Sequence, residues 1–170
     1  VAVHVDPIEK KPLFHFLPGT PIFSLAAAGC NLHCKFCQNW TISQGAPEDI
    51  RTMDLPPEKV VAAALHQRCK SIAYTYTEPI CFFEYVADTA ALARRNGLRN
   101  VTVTAGYINR KPMEMLCDVT DASNTDLKAF SDTFYRDMCD AGIKPVLDGM
   151  VLMKERGVWL EVTNLVIPTF

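Results

Sequence analysis

The sequence alternates between strand-like runs, rich in β-branched and aromatic residues, and segments with helical spacing of apolar residues. This alternation restricts the fold most strongly, because a strand followed by a helix about five times over is typical of a parallel sheet with helices outside it. Residues 21–29, 71–79, 100–106, 121–130 and 158–168 are predicted as strands, and residues 55–69, 82–97, 111–118 and 144–157 as helices.

The predicted class is therefore α/β, and either a closed or partly closed barrel or an open doubly wound sheet is compatible with it. In both architectures right-handed crossovers bring the carboxyl ends of the strands to one edge, where active sites are built. Polar motifs follow the first four predicted strands: a cysteine-rich loop, then "YTEP", "TAGY" and "DLK". We expect these motifs to meet at that edge.

Composition excludes several function classes. A chain of 170 residues with 49% hydrophobic content can bury one sizeable core. A net charge of −2 gives no reason to expect nucleic acid or an anionic membrane as a partner. The longest apolar stretch, "IFSLAAAGC", is too short to span a bilayer. The chain begins with Val1 and stops after a strand-like run, so we expect both ends to be cut from a longer protein.

The seven cysteines indicate a metal in a reducing compartment, and hence a cytoplasmic protein. The opening segment lacks the basic-then-apolar design of a signal peptide, and an odd number of cysteines argues against a complete disulfide framework. Cys30, Cys34 and Cys37 lie close together in "AGCNLHCKFCQNW", and the others, Cys69, Cys81, Cys117 and Cys139, are scattered.

Three clustered thiolates leave four arrangements open. A zinc ion could recruit His33 or a distant cysteine, and a [4Fe–4S] cluster could take Cys81 as a fourth ligand. A disulfide with a spare thiol is the third arrangement. The fourth is a [4Fe–4S] cluster with three cysteine ligands and one iron left open for a small molecule. Gly29 before the first cysteine, Phe36 before the third and the lack of a second CxxC pair favour the fourth.

The CxxxCxxC motif after a first strand, with an aromatic residue before the third cysteine, resembles the signature of the radical S-adenosylmethionine (radical SAM) superfamily. The stretches "HFLPGTPIFSL", "GCNLHCKFCQNW" and "AYTYTEP" resemble its glycyl-radical-enzyme activase-like branch, in particular the radical SAM proteins of the AmmeMemoRadiSam system. The resemblance implies a partial (β/α)6 barrel over residues 21–170, incomplete at its C-terminus. Residues 1–20 would be an N-terminal extension or the end of a preceding segment.

The resemblance also implies the chemistry. Enzymes of this superfamily reductively cleave S-adenosylmethionine at a [4Fe–4S] cluster, and the resulting 5′-deoxyadenosyl radical abstracts hydrogen from a substrate, which is a protein glycine for the activases. Cys30, Cys34 and Cys37 match the cluster ligands, and the amino and carboxylate groups of S-adenosylmethionine would complete the coordination of the fourth iron. An electron donor such as flavodoxin or ferredoxin, and a protein substrate, are implied partners. The alternatives of a different class are a ferredoxin-like electron carrier and a zinc-stabilised binding module.

Residue matches extend the resemblance to the co-substrate. Phe36, Cys37 and Gln38 lie where related activases contact the adenine end. Glu78 in "TYTEP" matches the acid that holds the methionine amino group, with Tyr76 and Thr77 replacing the glycines of the family motif.

The strand ends further along the chain supply the other residues of the predicted rim, the group of side chains around the co-substrate that consists of Glu78, Thr104, Asp126 and Lys128. Lys128 is suited to the methionine carboxylate, Asp126 to the ribose or a bound cation, and Thr104 to the same rim. Plainer alternatives are that Glu78 caps a helix or stays solvated, and that Asp126 and Lys128 only pair with each other. The plainer interpretation of His33 is a solvated loop residue. Cys69, Cys117 and Cys139 are interpreted as small buried hydrophobic residues.

Overall fold

The computed structural model describes residues 2–168, and within them one six-stranded sheet runs through the protein in chain order. Strand β1 pairs with β2 in antiparallel fashion, and every later neighbour is parallel. The strands are β1 (Ala2–Pro7), β2 (Pro21–Ala26), β3 (Ser71–Tyr74), β4 (Arg99–Thr104), β5 (Ala122–Leu127) and β6 (Trp159–Asn164).

Helices occupy the connections between the parallel strands. Short 3-10 turns at Ile8–Lys10, Pro47–Asp49 and Pro79–Phe82 accompany them. The α-helices are α1 (Trp40–Ser43), α2 (Pro57–His66), α3 (Phe83–Arg95), α4 (Arg110–Val119), α5 (Asp132–Cys139) and α6 (Ile143–Glu155).

The strand order decides between the two architectures that the sequence left open. An open doubly wound sheet reverses direction part-way, whereas here each connection moves one strand further in the same direction. Right-handed crossovers of this kind place all the helices on one face. The α/β prediction is confirmed, and the sheet is that of a partial barrel with its helices outside.

Alternate residues of each strand face opposite sides of this sheet. On β2, Phe23 and Leu25 pack in the core beneath the helices, together with Val60 of α2 and Val86 of α3. Ile22 points to the other side, the inner face of the barrel. Burying an apolar side chain of this size contributes about 1.5–3 kcal/mol, so both faces contribute to stability.

The segment between β1 and β2 covers the lower part of the inner face. Ile8 and Leu13 are fully buried against it, and the Asn124 amide donates to the carbonyl of Pro12 at 3.1 Å. The Glu161 carboxylate accepts the Phe14 backbone N–H at 2.8 Å. The division of the chain into residues 1–20 and a core over 21–170 stays a prediction, and residues 1, 169 and 170 lie outside the described part.

The predicted strands are shorter in the structure, chiefly at their carboxyl ends. Strand β3 ends at Tyr74 because Tyr76 adopts a left-handed backbone conformation with φ of 69°, which is incompatible with a strand. Three of the labelled elements were not predicted at all: β1, α1 and α5. No helix within residues 2–168 is long and apolar enough to cross a membrane.

Candidate metal and co-substrate site

The cysteine loop leaves the carboxyl end of β2 and turns back at Gly29. Gly29 has φ of +96°, which a residue with a Cβ rarely adopts, and its N–H donates to the carbonyl of Ile42 at 2.9 Å. The Cys37 N–H donates to the Cys34 carbonyl at 3.1 Å, which closes a tight turn between the last two cysteines. The predicted role of Gly29 as the turn residue is confirmed.

Helix α5 holds the other side of the loop. The backbone N–H groups of His33 and Lys35 donate to the carbonyls of Cys139 and Met138, at 3.1 and 2.9 Å. The Cys139 thiol lies against the Cys34 thiol in a hydrogen bond that lowers the pKa of Cys139. Cys139 is fully buried, as predicted, but it also contacts a candidate ligand. The sequence did not indicate this contact with Cys34, because Cys139 lies far from the cysteine motif along the chain.

The three loop thiols suit an iron–sulfur cluster. Each is half-buried, and all seven cysteines, which lie within the described residues, are free. Burial raises the pKa of Cys30 to about 11, and the hydrogen bond with Cys139, followed by burial, raises the pKa of Cys34. Metal binding must therefore displace the thiol protons, as it does at thiolate sites generally.

A single-ion zinc site is not assembled here. Among residues 2–168, no three His, Cys, Asp or Glu side chains are gathered around one point that could hold a metal ion. His33 is a largely exposed loop residue whose Nδ1 lies 3.3 Å from the Asp140 carboxylate, as the plainer alternative predicted. In a [4Fe–4S] cluster each thiolate binds a different iron, so the three sulfur atoms need not converge on one point.

Cys81 lies next to the loop. It is exposed, and it is close enough to Cys30 to raise the pKa of that thiol. The sequence-based alternative in which Cys81 is a fourth ligand therefore keeps a structural basis.

Glu78 and Thr104 come together at the ends of β3 and β4. The Thr104 hydroxyl donates to Glu78 Oε1 at 2.6 Å, and the Ala105 N–H donates to Oε2 at 2.9 Å. The Gly106 N–H donates in turn to the Thr104 hydroxyl at 2.9 Å. Glu78 is only 1% exposed, so the alternative in which it stays solvated is wrong.

Electrostatics link Glu78 with Lys128, which follows β5. Burial raises the pKa of Glu78 to about 7, while the bonds from Thr104 and Ala105 and the Lys128 ammonium oppose this increase. Burial alone would lower the pKa of Lys128, but Asp126 and the neighbouring Cys34 thiol raise it above its ordinary value. The two charged groups of the predicted rim therefore act on each other at one edge of the sheet.

Asp126 and Lys128 do form an ion pair, as the plainer alternative predicted. The Lys128 ammonium lies 3.1 Å from Asp126 Oδ2. The Lys128 side chain is only 15% exposed, which separates this pair from ordinary surface pairs. The Lys128 N–H donates to the Tyr135 hydroxyl at 3.0 Å, so α5 also fixes this strand end.

The three residues predicted at the adenine end lie on the last turn of the loop. Phe36 is half-buried with its ring 5.8 Å from that of Phe134, and Gln38 is exposed. Cys37 Sγ lies 3.3 Å from the Ser43 hydroxyl. The Asn39 amide donates to the Tyr76 carbonyl at 2.9 Å and thereby ties the loop to the end of β3. Neither the Ser43 contact nor the Asn39 contact was predicted.

Comparison with known proteins agrees with this geometry. The model of the radical SAM superfamily matches residues 25–170. The chain therefore belongs to the radical SAM superfamily. It is also 48% identical over 166 residues to an uncharacterized protein of Methanocaldococcus jannaschii, MJ0808, covering 98% of this chain and 49% of that protein. The chain thus spans about half the length of this curated relative.

Solved structures show the same fold at low sequence identity. A radical SAM methyltransferase from Sphaerobacter thermophilus superposes with a TM-score of 0.64 at 16% identity, over 91% of this chain and 50% of that one. A domain of pyruvate-formate lyase-activating enzyme from Bacteroides vulgatus gives a TM-score of 0.52 at 15% identity, over 57% of this chain and 60% of that one. Both support the partial barrel.

Proposed function

We propose that this chain is the core of an enzyme that cleaves S-adenosylmethionine reductively and uses the product radical to abstract hydrogen from a substrate. One observation carries the proposal: the folded chain brings the CxxxCxxC loop to the same sheet edge as Glu78 and Lys128. Three thiols for a cluster and two opposite charges for an amino acid group are what this chemistry requires from the protein.

Cys30, Cys34 and Cys37 would hold the [4Fe–4S] cluster. When bound, it supplies one electron to the sulfonium of S-adenosylmethionine, giving methionine and the 5′-deoxyadenosyl radical. Cys30, Cys34 and Phe36 pack against one apolar cluster, which reduces the contact of these thiols with water.

The rim residues match the charges of the methionine end. Thr104 and Ala105 orient the Glu78 carboxylate, so its charge is fixed at the position proposed for the methionine amino group. Lys128 is suited to the carboxylate and Asp126 to the ribose or a cation, and the existing pair between them holds both side chains in place. Phe36 and Gln38 are proposed to flank the adenine.

Two partners belong to the same proposal. The reduction needs a low-potential electron donor, such as a flavodoxin or ferredoxin of the cytoplasm. Activation of a glycyl-radical enzyme is a second candidate role, in which the hydrogen comes from a glycine of a protein partner. The resemblance of the motifs to the activase-like branch favours it, and a glycyl radical signal in the partner after turnover would test it.

The deciding experiment is anaerobic turnover. Reconstituted protein is mixed with dithionite and S-adenosylmethionine, and methionine and 5′-deoxyadenosine are quantified by chromatography. We expect equal amounts of both products from the native protein and none from Cys30→Ala, Cys34→Ala or Cys37→Ala. Cys69→Ala, which alters a buried cysteine of the helix-side core, serves as the matched control and keeps the activity. No cleavage by a protein with full iron content would refute the proposed function.

A further inference from the structure

Each of the three loop thiols has a hydrogen-bond partner in the chain around it. The partners are the Leu32 backbone N–H for Cys30, the Cys139 thiol for Cys34 and the Ser43 hydroxyl for Cys37. Two of these partners are side chains, Ser43 and Cys139, and none of the roles proposed above belongs to them.

Ser43 lies at the end of α1, the short helix that follows the cysteine motif. The bond from the Gly29 N–H to the Ile42 carbonyl holds this helix against the start of the loop. Ser43 is 4% exposed, and its oxygen lies 3.3 Å from Cys37 Sγ. The Gln44 side-chain amide donates to the same oxygen at 3.4 Å. Since a serine hydroxyl also carries one hydrogen, that hydrogen is left for the Cys37 sulfur.

Cys139 lies at the end of α5 and is fully buried. The last carbonyls of a helix have no partner within it, and here those of Met138 and Cys139 accept the N–H groups of Lys35 and His33. These two bonds lie on either side of Cys34 along the chain, so they fix Cys34 against the helix. Cys34 and Cys139 also pack in the same apolar cluster.

Binding of iron decides the direction of both bonds. A cysteine binds iron as a thiolate, which has no hydrogen to donate. Cys37 and Cys34 can then only accept, so the Ser43 hydroxyl and the Cys139 thiol are the donors. A hydrogen bond to sulfur is stronger when the sulfur carries more negative charge, and a reduced cluster carries more than an oxidised one. Both bonds therefore favour the reduced state.

We infer that Ser43 and Cys139 are positioning residues that raise the reduction potential of the cluster by donating hydrogen bonds to Cys37 and Cys34. Hydrogen bonds to the sulfur atoms are among the factors that set the potential of an iron–sulfur cluster. Both donors are buried, so water neither screens these bonds nor replaces them. The inference rests on the proposed function, because it requires a cluster on the three cysteines.

The test measures the midpoint potential of the reconstituted protein without S-adenosylmethionine, so it does not depend on turnover. The protein is titrated anaerobically with dithionite and followed by electron paramagnetic resonance. We expect the equilibrium constant for one-electron reduction to fall roughly threefold in Ser43→Ala and in Cys139→Ala, which lowers the potential by about 30 mV. Because the two bonds reach different ligands, the double variant should fall roughly tenfold, or about 60 mV.

Conservative variants separate the hydrogen bond from packing. Ser43→Thr keeps the hydroxyl and Cys139→Ser keeps a hydrogen to donate, so each should recover part of the potential lost in the alanine variant. Thr41→Ala removes an exposed hydroxyl from the same helix as Ser43, and Cys117→Ala removes a buried thiol from the helix-side core. These two are the matched controls and should keep the native potential, and every variant should keep the native iron content.

A native potential in either alanine variant would overturn the role of that residue. Loss of iron from an alanine variant would overturn it too, because the residue would then be needed to hold the cluster. An equal shift in Ser43→Thr and Ser43→Ala, or in Cys139→Ser and Cys139→Ala, would show that packing alone sets the potential. Failure of S-adenosylmethionine cleavage by native protein with full iron content is a separate result, which refutes the proposed function and leaves the potentials as measured.

Discussion

Glu78 is a carboxylate with almost no exposed surface, and its environment sets how it can act. A threonine hydroxyl and a backbone N–H occupy its two oxygens, while burial raises its pKa to about 7. The position of the acid after a strand could be predicted from "YTEP". Its burial could not, because burial depends on Thr104 and Ala105 of the next strand, whose register the sequence does not state.

The raised pKa predicts that S-adenosylmethionine affinity depends on pH. The ionised form of Glu78 is the stronger acceptor for the amino group of the ligand, and with a pKa of about 7 that form is the minor one at pH 6 and the major one at pH 8. We expect binding to be about tenfold weaker at pH 6 than at pH 8. Equilibrium dialysis of the reconstituted protein measures this.

The control for that prediction is Glu78→Gln. Its affinity should be lower than the native one at pH 8 and should change less than the native one between pH 6 and pH 8, because the Glu78 carboxyl no longer titrates and the amino group of the ligand still does. A native protein whose affinity is the same at both pH values would contradict the assigned role of Glu78.

The proposed role of Lys128 predicts that S-adenosylmethionine binding depends on the charge of this side chain. A charge-assisted hydrogen bond contributes about 1.5–3 kcal/mol, so Lys128→Met should weaken S-adenosylmethionine binding roughly 10- to 100-fold with iron content unchanged. Lys128→Arg should retain part of the affinity because the charge stays. Lys144→Met, which breaks an exposed ion pair worth about 0–1 kcal/mol, is the control. If Lys128→Met bound S-adenosylmethionine with native affinity, the proposed role would be wrong, and the ion pair with Asp126 would be the only interaction left for Lys128.

At the scale of elements, the site depends on two pieces that the sequence pattern did not reveal. Helix α5 is only eight residues long with apolar and polar residues interleaved, so its helical period was too short to recognise. It nevertheless carries Cys139 and Tyr135, which contact Cys34 and the Lys128 backbone. Strand β1 was missed because nothing in a six-residue run shows that it pairs with β2. The longer helices were predicted because their periodicity extends over more residues, and the parallel strands because they alternate with helices along the sequence.

The turn after β4 makes a prediction about stability. Gly106 has φ of +69°, and a Cβ there would lie 3.0 Å from Thr125 Cγ2. Gly157 has φ of +78° with nothing within 4 Å of such a Cβ. Both alanine variants carry the left-handed penalty of about 1–2 kcal/mol, and Gly106→Ala adds the cost of the tight contact.

Urea unfolding of the two variants measures the difference. Gly106→Ala should have a lower free energy of unfolding than Gly157→Ala, and it should also weaken S-adenosylmethionine binding, since the Gly106 N–H fixes the Thr104 hydroxyl. Equal stability of the two variants would show that the turn moves away from Thr125 without cost.

At the scale of the whole molecule, the strand ends of the partial barrel border two regions, an edge and an inner face. The edge holds the cysteine loop and the charged rim, and the inner face holds a cavity where Lys11 pairs with Asp6. The sequence predicted the edge because its motifs follow the strands directly. It could not predict the cavity, because Lys11 and Tyr76 are 65 residues apart and meet only after the sheet forms.

The central claim is that one iron of the cluster has no protein ligand and is coordinated by S-adenosylmethionine. Electron paramagnetic resonance of the reduced cluster tests it most directly, in native protein and in Cys81→Ala, each with and without S-adenosylmethionine. We expect about four irons per chain in both proteins, and the same change of signal when S-adenosylmethionine is added. The claim would be contradicted if Cys81→Ala lost the cluster and the native signal did not change on addition of S-adenosylmethionine. That result would identify a four-cysteine electron carrier.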